Sequence, residues 1–319
     1  MGYPQSMPRL PQVDRQGLRA RRRAMGDRLR QRTVGPVSVV PTMLTLANLV
    51  CGFAAIHYAT RPLAETAVFG WTTITVGGTL VFLGMFFDAI DGSVARLTRS
   101  TSDLGAQLDS IADIVTFGVA PAFLMLGLVD HYYRASGGAP AFIGPGVDSV
   151  YGKAVWAIAA LYVCGAGLRL ARFNAETDSP DEDSHQFFRG LPTPGAAGAV
   201  ASLIVLQQHL LHTSDGAADS STFAKVAALF IPLIALLCAI GMVSNLRYAH
   251  VVNRYLRRGR DFGSLVRIAL PVMAAIWFLQ ETLAAACTLY AISGPLGLLH
   301  PRDRQPDTAT ETGDSHEQD

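Results

Sequence analysis

Four aspartates, Asp88, Asp91, Asp109 and Asp113, stand in a chain that is otherwise poor in charge. Asp88 and Asp91 are three residues apart and Asp109 and Asp113 four apart, so within a helix each pair shares one face. Carboxylates gathered in this way repel one another. A divalent cation relieves the repulsion, and oxygen ligands of this kind suit Mg2+ or Mn2+. A single acid at a helix end commonly does no more than face water. Four at paired helical spacing, with Gly92 and Gly105 between the pairs, fit that bland reading poorly. A glycine suits a place where backbone approaches a ligand closely, although a lone glycine equally serves helix packing or a turn. Arg96, among the acids, is either their counter-ion or, beside a metal, a contact for a phosphate oxygen.

The elements that must position these acids are membrane helices. The chain has 319 residues, of which half are apolar and only 16% charged, with a mean hydropathy of +0.28. An ordinary soluble domain carries about a quarter charged residues, which disfavours a simple cytosolic enzyme. A helix needs about 20 apolar residues to cross the hydrocarbon core. Windows of that kind fall near 41–60, 67–88, 110–129, 154–172, 195–211 and 223–246. A further apolar stretch, 264–299, is interrupted by Glu281 and by Gly294-Pro295 and reads as two short helices turning near Glu281. The fold class is therefore an all-α integral membrane bundle of about eight transmembrane helices. The first acid pair ends the second span and the second pair begins the third, so a hairpin-like connection brings all four together near the membrane boundary. At mid-membrane each acid would cost about 2.5–3.5 kcal/mol on insertion scales.

Charge is distributed unevenly. Residues 1–33 hold nine Arg against two Asp, and residues 301–319 hold six acids against two Arg. The N-terminal arginines read as a topology determinant and a contact for anionic headgroups, and nothing there points to nucleic acid. Their segment, the 88–109 connection, the 174–194 loop and the arginine-rich stretch 247–260 fall on one side, which the positive-inside rule makes cytoplasmic. The chain is thus expected in the cytoplasmic membrane, with the acids on its cytoplasmic side and no cleavable signal peptide. Cys51, Cys164, Cys238 and Cys287 all sit in apolar runs and read as small reduced hydrophobes.

The string from Asp88 to Asp113 resembles the signature of the CDP-alcohol phosphotransferase family, DxxDGxxARx8GxxxDxxxD, and every fixed position is matched. PTMLTLANLVCGFAAI in the first span, SIADIVTFGVAPAFL after the signature, RLARFN at 169–174 and FRGLPTPGAAG at 188–198 look like the branch that uses L-serine. Thr42 stands where that pattern has Asn. The resemblance covers residues 41–198 and implies a core of six helices. It divides the chain into a basic cytoplasmic segment 1–36, a membrane core 37–246, a basic loop with two C-terminal helices 247–300, and a disordered acidic tail 301–319. A homodimer is a further family-based expectation.

By the same resemblance, the chain transfers a phosphatidyl group from CDP-diacylglycerol to L-serine by direct, metal-dependent displacement, giving phosphatidylserine and CMP. Asp88, Asp91 and Asp109 would hold the metal. Asp113 would sit on a second metal position or act as general base. Gly92, Arg96, Ser102 and Gly105 would surround the CDP moiety. Thr45 and Asn48 read either as further CDP contacts or as helix–helix hydrogen-bonding residues. Serine brings a carboxylate, which calls for arginine: Arg169 and Arg172, one turn apart, with Asn174 and Arg189, are the candidates. The two helical arginines could equally snorkel to headgroups.

Two other functions compete. The same chemistry with another acceptor (glycerol phosphate, inositol phosphate or choline) or an archaeal-type lipid donor would share the signature. A cation-coupled transporter would also use membrane carboxylates, but at span centres and with broken helices. A phospholipase-D-type mechanism needs His-x-Lys pairs, and neither Lys153 nor Lys225 has a histidine two residues before it.

Overall fold

The apolar runs fold as long helices because lipid offers no partner for an exposed backbone N–H or C=O, and a helix satisfies both internally. The computed structural model describes residues 39–63, 70–98, 103–133, 144–145, 148–177, 188–213, 218–248 and 277–299. Its helices are α1 (Val39–Ala59), α2 (Thr73–Thr98), α3 (Asp103–Asp113), α4 (Ala120–Tyr133), α5 (Val150–Thr177), α6 (Thr193–Thr213), α7 (Ala218–Val243) and α8 (Leu279–Leu299). A π-helical turn, Ile114–Val119, joins α3 to α4 without a break. Among the described residues, six helical stretches are long and apolar enough to cross a membrane: α1, α2, the continuous α3–α4, α5, α6 and α7. Large apolar side chains such as Val50, Phe53, Leu161, Phe230 and Leu237 point outward, as they should in a chain bathed in lipid.

α8 begins at Leu279 with Glu281 in its first turn, close to where the chain was expected to reverse, and runs through Gly294 and Pro295 as a single helix. A proline removes one backbone donor, a cost that packing on a neighbour can offset, and α8 packs along α6. The first of the two expected short helices, the basic N-terminal segment and the acidic tail lie outside the described residues.

The small-residue run opening α6 explains how tightly the bundle closes. Ala196, Ala197, Ala199, Val200 and Ala201 are all buried. A Cβ on Gly198 would come 3.1 Å from Cys287 Sγ of α8 and 3.5 Å from Met85 Cε of α2, so α6 lies wedged between those helices. Small residues let backbones approach closely enough for dispersion and hydrogen bonds to hold helices together in lipid.

Ahead of α6, the FRGLP segment is fastened to the end of α7. Phe188–Arg189 pairs antiparallel with Arg247–Tyr248, Gly190 N donates to Leu246 O at 2.8 Å and Leu191 N donates to Gly241 O at 3.0 Å. Gly190 has φ +85°, and a Cβ there would fall 2.6 Å from Met242 O. Gly190→Ala is therefore expected to destabilise the protein by about 1–3 kcal/mol from backbone strain, with the clash added to that. Thermal melting in detergent checks it, and an unchanged transition would refute the assignment.

Candidate active site

α2 and α3 carry the acids, and both helices run on past them. Thr98, the last residue of α2, is ten residues beyond Asp88, and α3 starts at Asp103, ten residues before Asp113. At 1.5 Å rise per residue, the acids lie up to about 15 Å from the connection between the helices. The sequence had placed them at the span ends, because hydropathy falls at the first charge. The residues that follow, Ala95 and Leu97 among them, remain good helix formers.

One carboxylate oxygen from each of Asp88, Asp91 and Asp109 lies within 4.8 Å of the others, a grouping that could hold a metal ion. Asp91 is buried, with 5% of its surface exposed, and Asp88 and Asp109 are half-buried. Thr45 Oγ1 donates to Asp91 Oδ2 at 2.9 Å, with Pro41 O also in reach at 3.0 Å, and the Gly92 amide donates to the Asp91 carboxylate. Asp109 Oδ1 is buried without a hydrogen-bond partner among the described residues. A buried carboxylate oxygen left in that state is costly, and a cation is the chemical partner that three converging carboxylates fit.

Asp113 stands beside this group rather than in it. It is 9% exposed, comes within hydrogen-bonding range of the Asp88 carboxyl, and accepts from Asn48 Nδ2 at 3.3 Å. Thr45 and Asn48 thus form helix–helix hydrogen bonds from α1. Both lie on the one face of α1 that is buried, with Pro41, Gly52 and Ala55.

α5 brings the basic groups. Arg169 is only 7% exposed, lies 5.6 Å from the centre of the Phe173 ring and is within electrostatic reach of Tyr290 on α8. Arg172 is half-buried one turn on. Asn174 Nδ2 donates to Ser110 Oγ at 2.9 Å, which ties the end of α5 to the residue next to Asp109. Gly105 lies half-buried in the first turn of α3. Arg189 is in the backbone pairing at 188–189, but its side chain, the Arg96 side chain and the whole of Ser102 lie outside what is described.

The π-helical turn was not foreseen. Its signal is Pro121, at the second position of α4: a proline has no N–H to give and its ring crowds the carbonyl one turn back. The widened turn accommodates it, with Ala120 N donating to Val115 O, and Tyr162 OH donates to Phe117 O at 3.2 Å. Turns of this kind recur at functional sites.

Residues 38–240 match the CDP-alcohol phosphatidyltransferase family. The chain belongs to that family. Among its similar relatives, the CDP-diacylglycerol–serine O-phosphatidyltransferase of Helicobacter pylori strain J99 is 33% identical over 215 residues, covering 67% of this chain and 73% of the relative. The enzyme of that name from Bacillus subtilis strain 168 is 33% identical over 160 residues, covering 50% of this chain and 72% of its own. The one from Methanocaldococcus jannaschii is 28% identical over 216 residues, covering 67% and 80%. This CDP-alcohol phosphatidyltransferase is a multi-helix membrane enzyme whose family segment takes in α1 to most of α7, with all four aspartates. α8 lies beyond that segment and packs on α6, where the Tyr290 ring meets Gly195.

Proposed function

We propose that this enzyme transfers the phosphatidyl group of CDP-diacylglycerol to the hydroxyl of L-serine, giving phosphatidylserine and CMP. The observation that carries the reading is the convergence of Asp88, Asp91 and Asp109 within 4.8 Å, with Asp113 alongside. Asp88, Asp91 and Asp109 would hold Mg2+ or Mn2+. Divalent ions bound there would neutralise the pyrophosphate and the phosphate of the departing CMP.

The chain's own groups then divide the remaining work. The serine oxygen attacks the phosphorus that bears the diacylglycerol, and the bond from that phosphorus to the oxygen bridging to CMP breaks. Serine's hydroxyl is a weak nucleophile, so its proton must pass to a base during attack. Asp113 is that base: it stands outside the three-carboxylate grouping and is oriented by the Asn48 amide. The second metal position is the other role open to it. Arg169 and Arg172 receive the serine carboxylate, with Asn174 and Arg189 as further contacts. Gly92, Arg96, Ser102 and Gly105 lie around the nucleotide. The arginine-rich connections put this chemistry on the cytoplasmic side, with the acyl chains between helices.

An acceptor panel tests the reading: purified protein, CDP-diacylglycerol, Mn2+ or Mg2+, and serine against glycerol phosphate, inositol phosphate and choline. Serine alone should appear in chloroform-soluble product. Preference for another acceptor would reassign the substrate, and vesicle uptake of serine without lipid product would favour a transporter. Within the proposed pocket, Arg172→Ala is expected to raise KM for serine by roughly tenfold, the loss of one charge-assisted hydrogen bond, with KM for CDP-diacylglycerol little changed. Equal rises in both would remove Arg172 from the serine carboxylate.

A further inference from the structure

Thr116, in the π-helical turn, is fully buried between α1 and α2. A serine or threonine inside a helix usually turns its hydroxyl back onto the carbonyl four residues earlier. Thr79, Ser93 and Ser110 do so here, bonding to Thr75, Ala89 and Ala106. Thr116 instead reaches across to another helix: its Oγ1 donates to the carbonyl oxygen of Asn48 at 3.0 Å. Asn48 is the residue whose amide donates to Asp113.

The seat around Thr116 is tight on both sides. A Cβ on Gly84 of α2 would come 2.6 Å from Thr116 Cγ2 and 2.8 Å from Asn48 Oδ1, and a Cβ on Gly52 of α1 would come 2.8 Å from Thr116 Cα. Two glycines therefore leave room for one threonine and one asparagine and for nothing larger. A buried hydroxyl is retained at a cost unless its hydrogen bond returns the lost solvation. A valine would fill the same volume without that requirement.

We propose that Thr116 is a positioning residue of the active site: seated between Gly52 and Gly84, it fixes Asn48 so that the Asn48 amide orients Asp113 for proton transfer. The inference rests on the reading of Asp113 as general base. It adds a residue that touches neither substrate nor metal and acts only through Asn48.

Thr116→Val, Thr116→Ser, Asn48→Ala and the Thr116→Val/Asn48→Ala double variant, each as the full chain purified in detergent, test it. Turnover is measured together with Mn2+ binding by electron paramagnetic resonance. Thr116→Val is expected to lower kcat by about ten- to a hundredfold, the scale of a small misplacement of a reacting group. KM for CDP-diacylglycerol and Mn2+ binding should stay at wild-type values, because the three metal-holding carboxylates are untouched. Thr116→Ser, which keeps the hydroxyl, should restore most of kcat. In the Asn48→Ala background Thr116→Val should cost nothing further. If Thr116→Val does not fold, Thr116→Ala takes its place with the same split expected. Wild-type kcat in the valine variant, additive losses in the double variant, or a fall in Mn2+ binding parallel to kcat would overturn the proposal. Failure of the wild-type protein to turn over CDP-diacylglycerol with Mn2+ would instead overturn the functional reading on which it rests.

Discussion

Asp91→Asn is expected to abolish turnover while leaving the protein folded. Asp91 is the most buried of the three acids whose oxygens converge, and it belongs to the grouping that could hold a metal. Asparagine keeps the size and an acceptor for the Thr45 hydroxyl but removes the charge. Losing one anionic ligand from such a group should weaken the binding of a divalent ion by at least the 10–100-fold seen for partners one shell further out. The loss of charge stabilisation at the transferring phosphate should lower kcat by about a thousandfold or more. The fold responds in the opposite direction. Without metal, the four carboxylates repel, so neutralising one removes a destabilising term. In the presence of EDTA the variant should melt no lower than wild type, and addition of Mn2+ should raise its melting temperature less. An Asp91→Asn enzyme with substantial turnover would remove the metal assignment.

Asp113→Asn should separate the proposed base from the proposed ligands. Asp113 bonds to Asn48 and lies beside Asp88, outside the convergent three. Removing a positioned general base typically costs about 10²–10⁴-fold in rate. We therefore expect kcat to fall in that range while Mn2+ binding, read by electron paramagnetic resonance, is largely kept. Loss of Mn2+ binding equal to that of Asp91→Asn would place Asp113 on a second metal position instead. Together the two variants form a pair in which one loses metal and turnover and the other loses turnover alone.

Much of this site was legible before any coordinates. Pairs three and four residues apart share a face of their own helix by helical geometry alone, which aligns Asp88 with Asp91 and Asp109 with Asp113. The long apolar windows were legible for the same local reason, since crossing a bilayer demands about 20 apolar residues in a row. Helix ends were not. α2 and α3 run on beyond the acids because hydropathy marks where lipid compatibility stops, whereas a helix stops where its backbone bonding does. α8 continues through Gly294 and Pro295 while packing along α6.

The partners of the acids were beyond reach for a different reason. Thr45 and Asn48 are four and seven residues past Pro41 on one helical face, so their shared orientation could be read, but not whether that face meets a nucleotide or a neighbouring helix. The bonds from Asn174 to Ser110 and from Thr116 to Asn48 span 64 and 68 residues. Contacts at that separation are set by how helices cross and by which glycines let them approach, and no local pattern encodes either. The amino-acid sequence by itself determined a helical membrane chain with four acids paired on the faces of two successive helices. Only tertiary packing decided which side chains orient those acids, because that depends on the ångström-scale fit of Gly52, Gly84 and Thr116 at the meeting of three helices.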